Sequence, residues 1–86
     1  MPDYAVVFKT SARRELQRLP PYEVTRILER IRPLAGEPRP HGCRKLADTT
    51  HLWRIRVGDY RVVYSIQDGE QRIQILAVRH RSDAYR

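Results

Sequence analysis

Apolar and polar residues alternate strictly along Trp53-Arg54-Ile55-Arg56-Val57. An extended chain therefore sets Trp53, Ile55 and Val57 on one face and Arg54 and Arg56 on the other. Gly58-Asp59 follows, a dipeptide suited to a two-residue turn with glycine at its first central position. This predicts a hairpin that pairs Val57 with Tyr60 and Arg56 with Arg61, with its second strand running to about Gln67. Asp68-Gly69 is a second turn signal and leads into a strand over 71–78. If Gln67 pairs with Glu70, Tyr64 meets Ile73, Val62 meets Ile75 and Tyr60 meets Ala77. All six then share the face of Trp53. The opposite face carries Arg54, Arg56 and Arg61 with Val63, Leu76, Gln74 and Arg72. The same parity, continued past Val78, sends His80 to the arginine face and Arg79 to the core face.

Upstream, Tyr4 to Lys9 reads as a short apolar strand. Thr10 or Ser11 then caps a helix through Leu19, with Ala12, Leu16 and Leu19 at helical spacing. Pro20-Pro21 breaks it. A second helix runs from Pro21 to Arg32, with Val24, Ile27, Leu28 and Ile31 on one stripe. Pro33 and Gly36 stop it, Leu34 and Ala35 extending the last turn. The short break predicts an antiparallel helical hairpin. A Pro-rich loop over 37–42 precedes a short strand over 43–46 and a turn at Asp48-Thr49-Thr50. The expected fold is α+β in the order β-α-α-β-β-β-β, a helical hairpin on one face of a mostly antiparallel sheet. Residues 1–86 are expected to form a single domain.

Charge changes what the alternation means. The chain carries +7, with 17 basic against 10 acidic residues, and 15 of the 17 are arginine. Guanidinium groups fit phosphate bidentately and stay charged at any relevant pH. Like charges opposed on a ladder weaken a sheet. A surface that holds a polyanion accounts for them, so nucleic acid, an acidic protein or both are the expected partners, a merely soluble basic surface being the alternative from charge alone.

Other chemistries are excluded by what is missing. Cys43 stands alone, which rules out an intrachain disulfide and a zinc thiolate cluster. No metal-ligand spacing, carboxylate pair, phosphate-cradling glycine loop or Ser-His-Asp set is present, so neither metal nor cofactor is expected. No apolar run has the length of a membrane span and Met1-Pro2-Asp3-Tyr4 opens no signal pattern, so a cytoplasmic protein with no membrane partner is expected. Tyr60, Tyr64 and Trp53 fall on the core face and read as packing residues. His41 and His51 fall on loops.

The block from Trp53 to Tyr64, with Val78-Arg79-His80-Arg81-Ser82-Asp83-Ala84-Tyr85-Arg86 behind it, resembles the RelE branch of the RelE/ParE toxin superfamily. The similarity extends to Phe8-Lys9-Thr10-Ser11-Ala12 at the entry to the first helix. It implies a ribosome-dependent mRNA endonuclease acting in the A site, silenced by a cognate acidic antitoxin. Operator DNA would be bound only through the antitoxin complex. Arg54 and Arg56 match the family's basic pair, implying substrate binding. Arg61 matches its phosphate-binding arginine, and Arg81 and Tyr85 match the arginine and near-terminal tyrosine of its tail. Well-studied members often carry lysine at the positions of Arg54 and Arg56, which speaks against a neutral-amine role here. The family's tail spacing varies, so Arg79 or His80 stands as an alternative to Arg81. The alternative within the superfamily is a non-catalytic, ParE-like inhibitor of DNA gyrase.

Cleavage by such a chain uses the 2′-hydroxyl against its own phosphate, without metal. Fixed guanidinium donors stabilise the charge that grows on the phosphoryl oxygens. Arg61 is placed for that task. Tyr85 is the candidate base, since neighbouring cations favour phenolate, or else it stacks on a base. Arg81 or His80 supplies the leaving-group proton; imidazole is the better acid on intrinsic pKa.

Overall fold

Val62, Tyr64 and Ile66 point to one side of the middle strand of the sheet, and all three are buried. The computed structural model describes residues 3–47, 49 and 51–82. Its elements are β1 (Ala5–Phe8), α1 (Thr10–Gln17), α2 (Pro21–Ile31), β2 (Arg44–Lys45), β3 (Leu52–Val57), β4 (Tyr60–Gln67) and β5 (Arg72–His80). Among the described residues the sheet has five strands in the order β1-β5-β4-β3-β2. β1 runs parallel to β5 and the other neighbours are antiparallel. The fold is α+β, as the alternation and the helical stripes predict. The turn expected at Asp48-Thr49-Thr50 falls partly outside the described residues.

Both helices cover the face that holds Ile55, Val57, Val62, Tyr64, Ile66, Ile73, Ile75 and Val78. Ala12 and Leu16 enter this core from α1, and Ile27 and Ile31 from α2. Pro21 opens α2, where a missing N–H costs nothing and the fixed φ already suits a helix. Helix α1 departs from expectation at both ends. Thr10 is already helical, and Lys9 takes the capping position in extended conformation with no side-chain cap. The Lys9 N–H is tied to Ile75 O at 2.9 Å, so β1 runs directly into the helix without a separate cap residue. The helix ends at Gln17, two residues before Leu19. After α2 the chain tightens into a 3-10 turn over Arg32–Ala35, which drives Leu34 into the core.

The β3–β4 hairpin has the expected register, Arg56 opposite Arg61 and Val57 opposite Tyr60. Gly58 adopts φ +60°, which glycine takes without penalty. The guanidinium of Arg26 from α2 lies where a Cβ at this position would project. The same guanidinium pairs with Glu23 at 3.1 Å.

The β4–β5 connection overturns the expected tight turn. Asp68–Glu70 form a 3-10 turn, Gln71 follows at φ 50°, and Gln67 pairs with Arg72 instead of Glu70. Two long-range contacts open it. Asp68 accepts from Tyr4 Oη at 2.6 Å and from both terminal nitrogens of Arg39, at 3.3 and 2.8 Å. The Gln71 carbonyl accepts from Ala5 N–H at 2.9 Å. A second shift, between Val63 and Tyr64, adds a bulge: Tyr64 faces Ile75 but Val63 faces Ala77, so Leu76 is the extra residue. Beyond it, Val78 joins the core and Ala77 does not, the reverse of the expected parity.

Arg39 also lies over the Trp53 ring, 5.1 Å from its centroid, and the Tyr64 hydroxyl donates to Pro38 O at 2.8 Å. The proline-rich segment over 37–42 is thereby strapped across the end of the sheet. Burial, followed by the proximity of Cys43, pushes the Tyr64 phenol far above its ordinary pKa, so it stays a donor.

Replacing Gly58 with alanine should cost about 1–2 kcal/mol, read from urea denaturation midpoints, because a Cβ is strained at positive φ and meets Arg26. Arg26→Ala in the same chain should restore only the part due to the collision. The hydrogen bond from Arg39, then that from Tyr4, holds the Asp68 carboxyl below the ordinary range. Its contribution to stability is therefore present above about pH 4 and lost as pH falls through the lowered value. Asp68→Asn should flatten the melting temperature against pH across that acid interval.

Candidate nucleic-acid interface

The core side chains of β3 and β4 claim alternate positions, which leaves the intervening ones on the uncovered face. Arg56 faces Arg61 and Arg61 faces Arg79, so three arginines share one rung across β3, β4 and β5. The next rung carries Arg44, Arg54, Val63 and Ala77. Strands lie about 4.8 Å apart, so these guanidinium groups spring from a closely spaced lattice. Among the described residues, no carboxylate comes within ion-pair distance of Arg44, Arg54, Arg56 or Arg61. Partial burial, then the fields of Arg56, Arg61 and Arg44, lowers the pKa of Arg54 from its ordinary value. It stays protonated at neutral pH, but its environment already favours an anion.

Arg81 joins this face at the hairpin turn. Its backbone N–H donates to Asp59 O at 2.7 Å, which pins the chain beyond β5 against the turn. Its side chain stays exposed, with Nε 4.0 Å from an Asp59 carboxylate oxygen. Arg56, Arg61 and Arg81 thus converge on a recess of ≈ 150 Å³ completed by Gly58, Asp59 and Tyr60. Arg54 stands one rung away on the same face.

The bulge exchanges the expected sides of the last two strand residues. Arg79 stands opposite Arg61, and its side chain bends over the strand edge so that Nε meets Glu15 Oε2 at 3.1 Å. The other oxygen of Glu15 accepts from Val78 N–H at 3.0 Å, satisfying a β5 edge that β1 is too short to reach. His80 stands opposite Tyr60, edge-on to its ring at 5.4 Å, in a groove with Arg18 and Leu19. Its Nδ1 lies 2.9 Å from the Ser82 hydroxyl and 3.2 Å from the Ser82 N–H, which holds the ring against the chain beyond β5. The structure therefore brings Arg54, Arg56, Arg61 and Arg81 together and sets His80 on the helix side. Tyr85 lies outside the described residues. Among those residues no cluster of three His, Cys, Asp or Glu side chains could hold a metal ion. No helix among them is long and apolar enough to cross a membrane.

Besides Arg79, which the expected parity sent to the core face, Arg44 is a member of this face that the sequence pattern missed. It belongs to a two-residue strand whose pairing with Arg54 carries no local signal.

Two helices packed on a mixed five-stranded sheet match the fold of RelE toxins. Residues 6–85 match the family described as ParE toxin of type II toxin–antitoxin system, parDE. The chain is 39% identical over 84 residues to "Toxin RelE" of Mycobacterium tuberculosis, covering 96% of this chain and 87% of that one. It is 37% identical to "Toxin RelG" of the same organism, covering 96% and 97%. It superposes on a chain of the archaeal RelE–RelB complex from Pyrococcus horikoshii with a TM-score of 0.82 at 36% identity, covering 92% and 96%. The chain belongs to the RelE/ParE family of type II toxin–antitoxin toxins.

The crowded arginines have a cost in the free protein. Arg56→Gln should raise stability by a few tenths to about 1 kcal/mol, and added salt should stabilise wild type more than this variant. Urea titrations at low and high ionic strength measure both.

Proposed function

We propose that this toxin is a ribosome-dependent endoribonuclease that cuts mRNA in the A site. The observation that carries the reading is the convergence of Arg56, Arg61 and Arg81 on one recess beside an arginine-lined rung. A single phosphodiester there meets guanidinium groups from three strands' ends, an arrangement that favours the doubly charged phosphorane-like state over the singly charged ground state.

In the proposed reaction the 2′-oxygen attacks its adjacent phosphorus and the P–O5′ bond breaks. The products are a 2′,3′-cyclic phosphate and a 5′-hydroxyl, with no metal or cofactor taking part. Arg61 and Arg56 hold the non-bridging oxygens, Arg54 extends the clamp along the backbone, and Tyr85 takes the 2′-hydroxyl proton. Arg81 donates the proton that the leaving 5′-oxygen takes up and regains it from water. His80 delivers that oxygen's proton only if its ring turns round the end of β5. An imidazole acid gives the rate a falling limb in the neutral pH range, whereas a guanidinium gives none.

The +7 charge supports a cognate acidic antitoxin, partly disordered until it folds over the arginine face. The Pyrococcus relative, seen with RelB, supports the same pairing. Operator DNA would be reached through that complex, and the ribosomal substrate implies a cytoplasmic site of action. A ParE-like action on gyrase is the second reading, favoured by the description of the matching family.

Incubation with translating ribosomes, with mRNA ends mapped beside a gyrase supercoiling assay, separates the two. Codon-phased cuts ending in cyclic phosphate are expected; gyrase-trapped DNA breaks with intact mRNA would overturn the nuclease reading. Arg61→Ala and Tyr85→Phe should each reduce cleavage at least 100-fold, on the scale of a lost transition-state donor or proton-transfer group, with unchanged circular dichroism.

A further inference from the structure

We propose that the open face carries a nucleobase site beside the phosphate recess, floored by Val63, Leu76 and Ala77 and walled by Arg61 and Arg79. This deepens, and rests on, the reading of the arginine face as an RNA site. These five residues line a cleft of ≈ 350 Å³, at the lower end of the range for small-molecule sites.

The floor exists because of the bulge. In a regular strand, successive side chains take opposite faces, and only one of residues 76 and 77 could point this way. With Leu76 inserted between the partners of Tyr64 and Val63, both Leu76 and Ala77 line the cleft. Bulges re-aim side chains in this manner beside functional sites. The walls suit an aromatic ring. Arginine planes stack on bases, and the Glu15 contact at 3.1 Å tethers Arg79 in place.

Charge selects the occupant. The cleft opens between cations on a face where Arg44, Arg54 and Arg56 also stand, so an apolar group arriving there must belong to a polyanion. Arg61 lines both this cleft and the phosphate recess, so the ring belongs to a nucleotide flanking the phosphate held in that recess. The floor has no polar side chain to read base edges. It therefore accepts an unstacked base by its face and discriminates weakly between bases.

The test uses the full chain and short single-stranded RNAs, intact or with one abasic nucleotide beside the central phosphate, bearing a 2′-deoxy sugar at the cleavage point. Methyl NMR of Val63, Leu76 and Ala77 and the dissociation constant are read together. Intact RNA should shift these methyls and bind roughly tenfold more tightly than abasic RNA, the effect of about one stacked base. Leu76→Asn should lose that factor on intact RNA and lose nothing further on abasic RNA. Val63→Thr, nearly isosteric, serves in its place if Leu76→Asn fails to fold. Equal binding of intact and abasic RNA, or equal losses by the variant on both, overturns the site. Intact mRNA on ribosomes together with base-dependent methyl shifts would sink the nuclease reading while leaving the base site standing. Codon-phased cleavage without such shifts would do the opposite.

Discussion

Everything on the open face of this protein depends on how β4 buries its other side. Val62, Tyr64 and Ile66 are almost wholly sequestered under the helices, so Arg61 and Val63 have no choice but to face outward. Burial of three large side chains is worth several kcal/mol, whereas repulsion between opposed arginines costs about 1 kcal/mol or less for each pair. The hydrophobic term wins comfortably. A face crowded with like charge can therefore be held in place by the packing behind it, with Asp59 and Glu15 meeting Arg81 and Arg79 only at its margin.

Rigidity at the two ends of the sheet comes from different devices. At the hairpin end, Arg26 rests on Gly58 and the Arg81 amide is pinned to Asp59, so the recess is framed by backbone as well as side chains. At the other end, Asp68 gathers Tyr4 and Arg39, while Tyr64 holds Pro38. These contacts join segments more than 25 residues apart in the chain. The side away from the recess is thus tied by polar bonds, whereas in the recess, among the described residues, only Arg81 has a carboxylate within ion-pair distance, that of Asp59. Glu15 belongs to neither end. It completes an edge that β1 leaves open, and it steadies Arg79 of the open face from behind.

The strands, helices and first hairpin register were legible because each is encoded locally. Arg54, Arg56 and Arg61 could be assigned to one surface from alternation and a single Gly-Asp turn. The second turn misled, since Asp68-Gly69 carries a tight-turn signal while Tyr4, Arg39 and Ala5 all act on its neighbourhood from a distance. The resulting offset of two residues left every side chain on its expected face, Ile73 and Ile75 included. The further one-residue shift at the bulge alone sent Ala77 and Val78, and likewise Arg79 and His80, to the opposite sides from those expected.

The sequence by itself determined that one side of the β3–β4 hairpin would be apolar and the other cationic, because side-chain alternation is a property of the extended backbone. It also determined the helical layer through the stripes at Ala12, Leu16, Ile27 and Ile31. Only the tertiary structure decided that Arg44 and Arg79 complete the cationic lattice and that His80 leaves it. The physical reason is that register across strands is set by which bonds the whole chain can satisfy at once. A bulge of one residue, invisible in composition or periodicity, reverses every side chain after it.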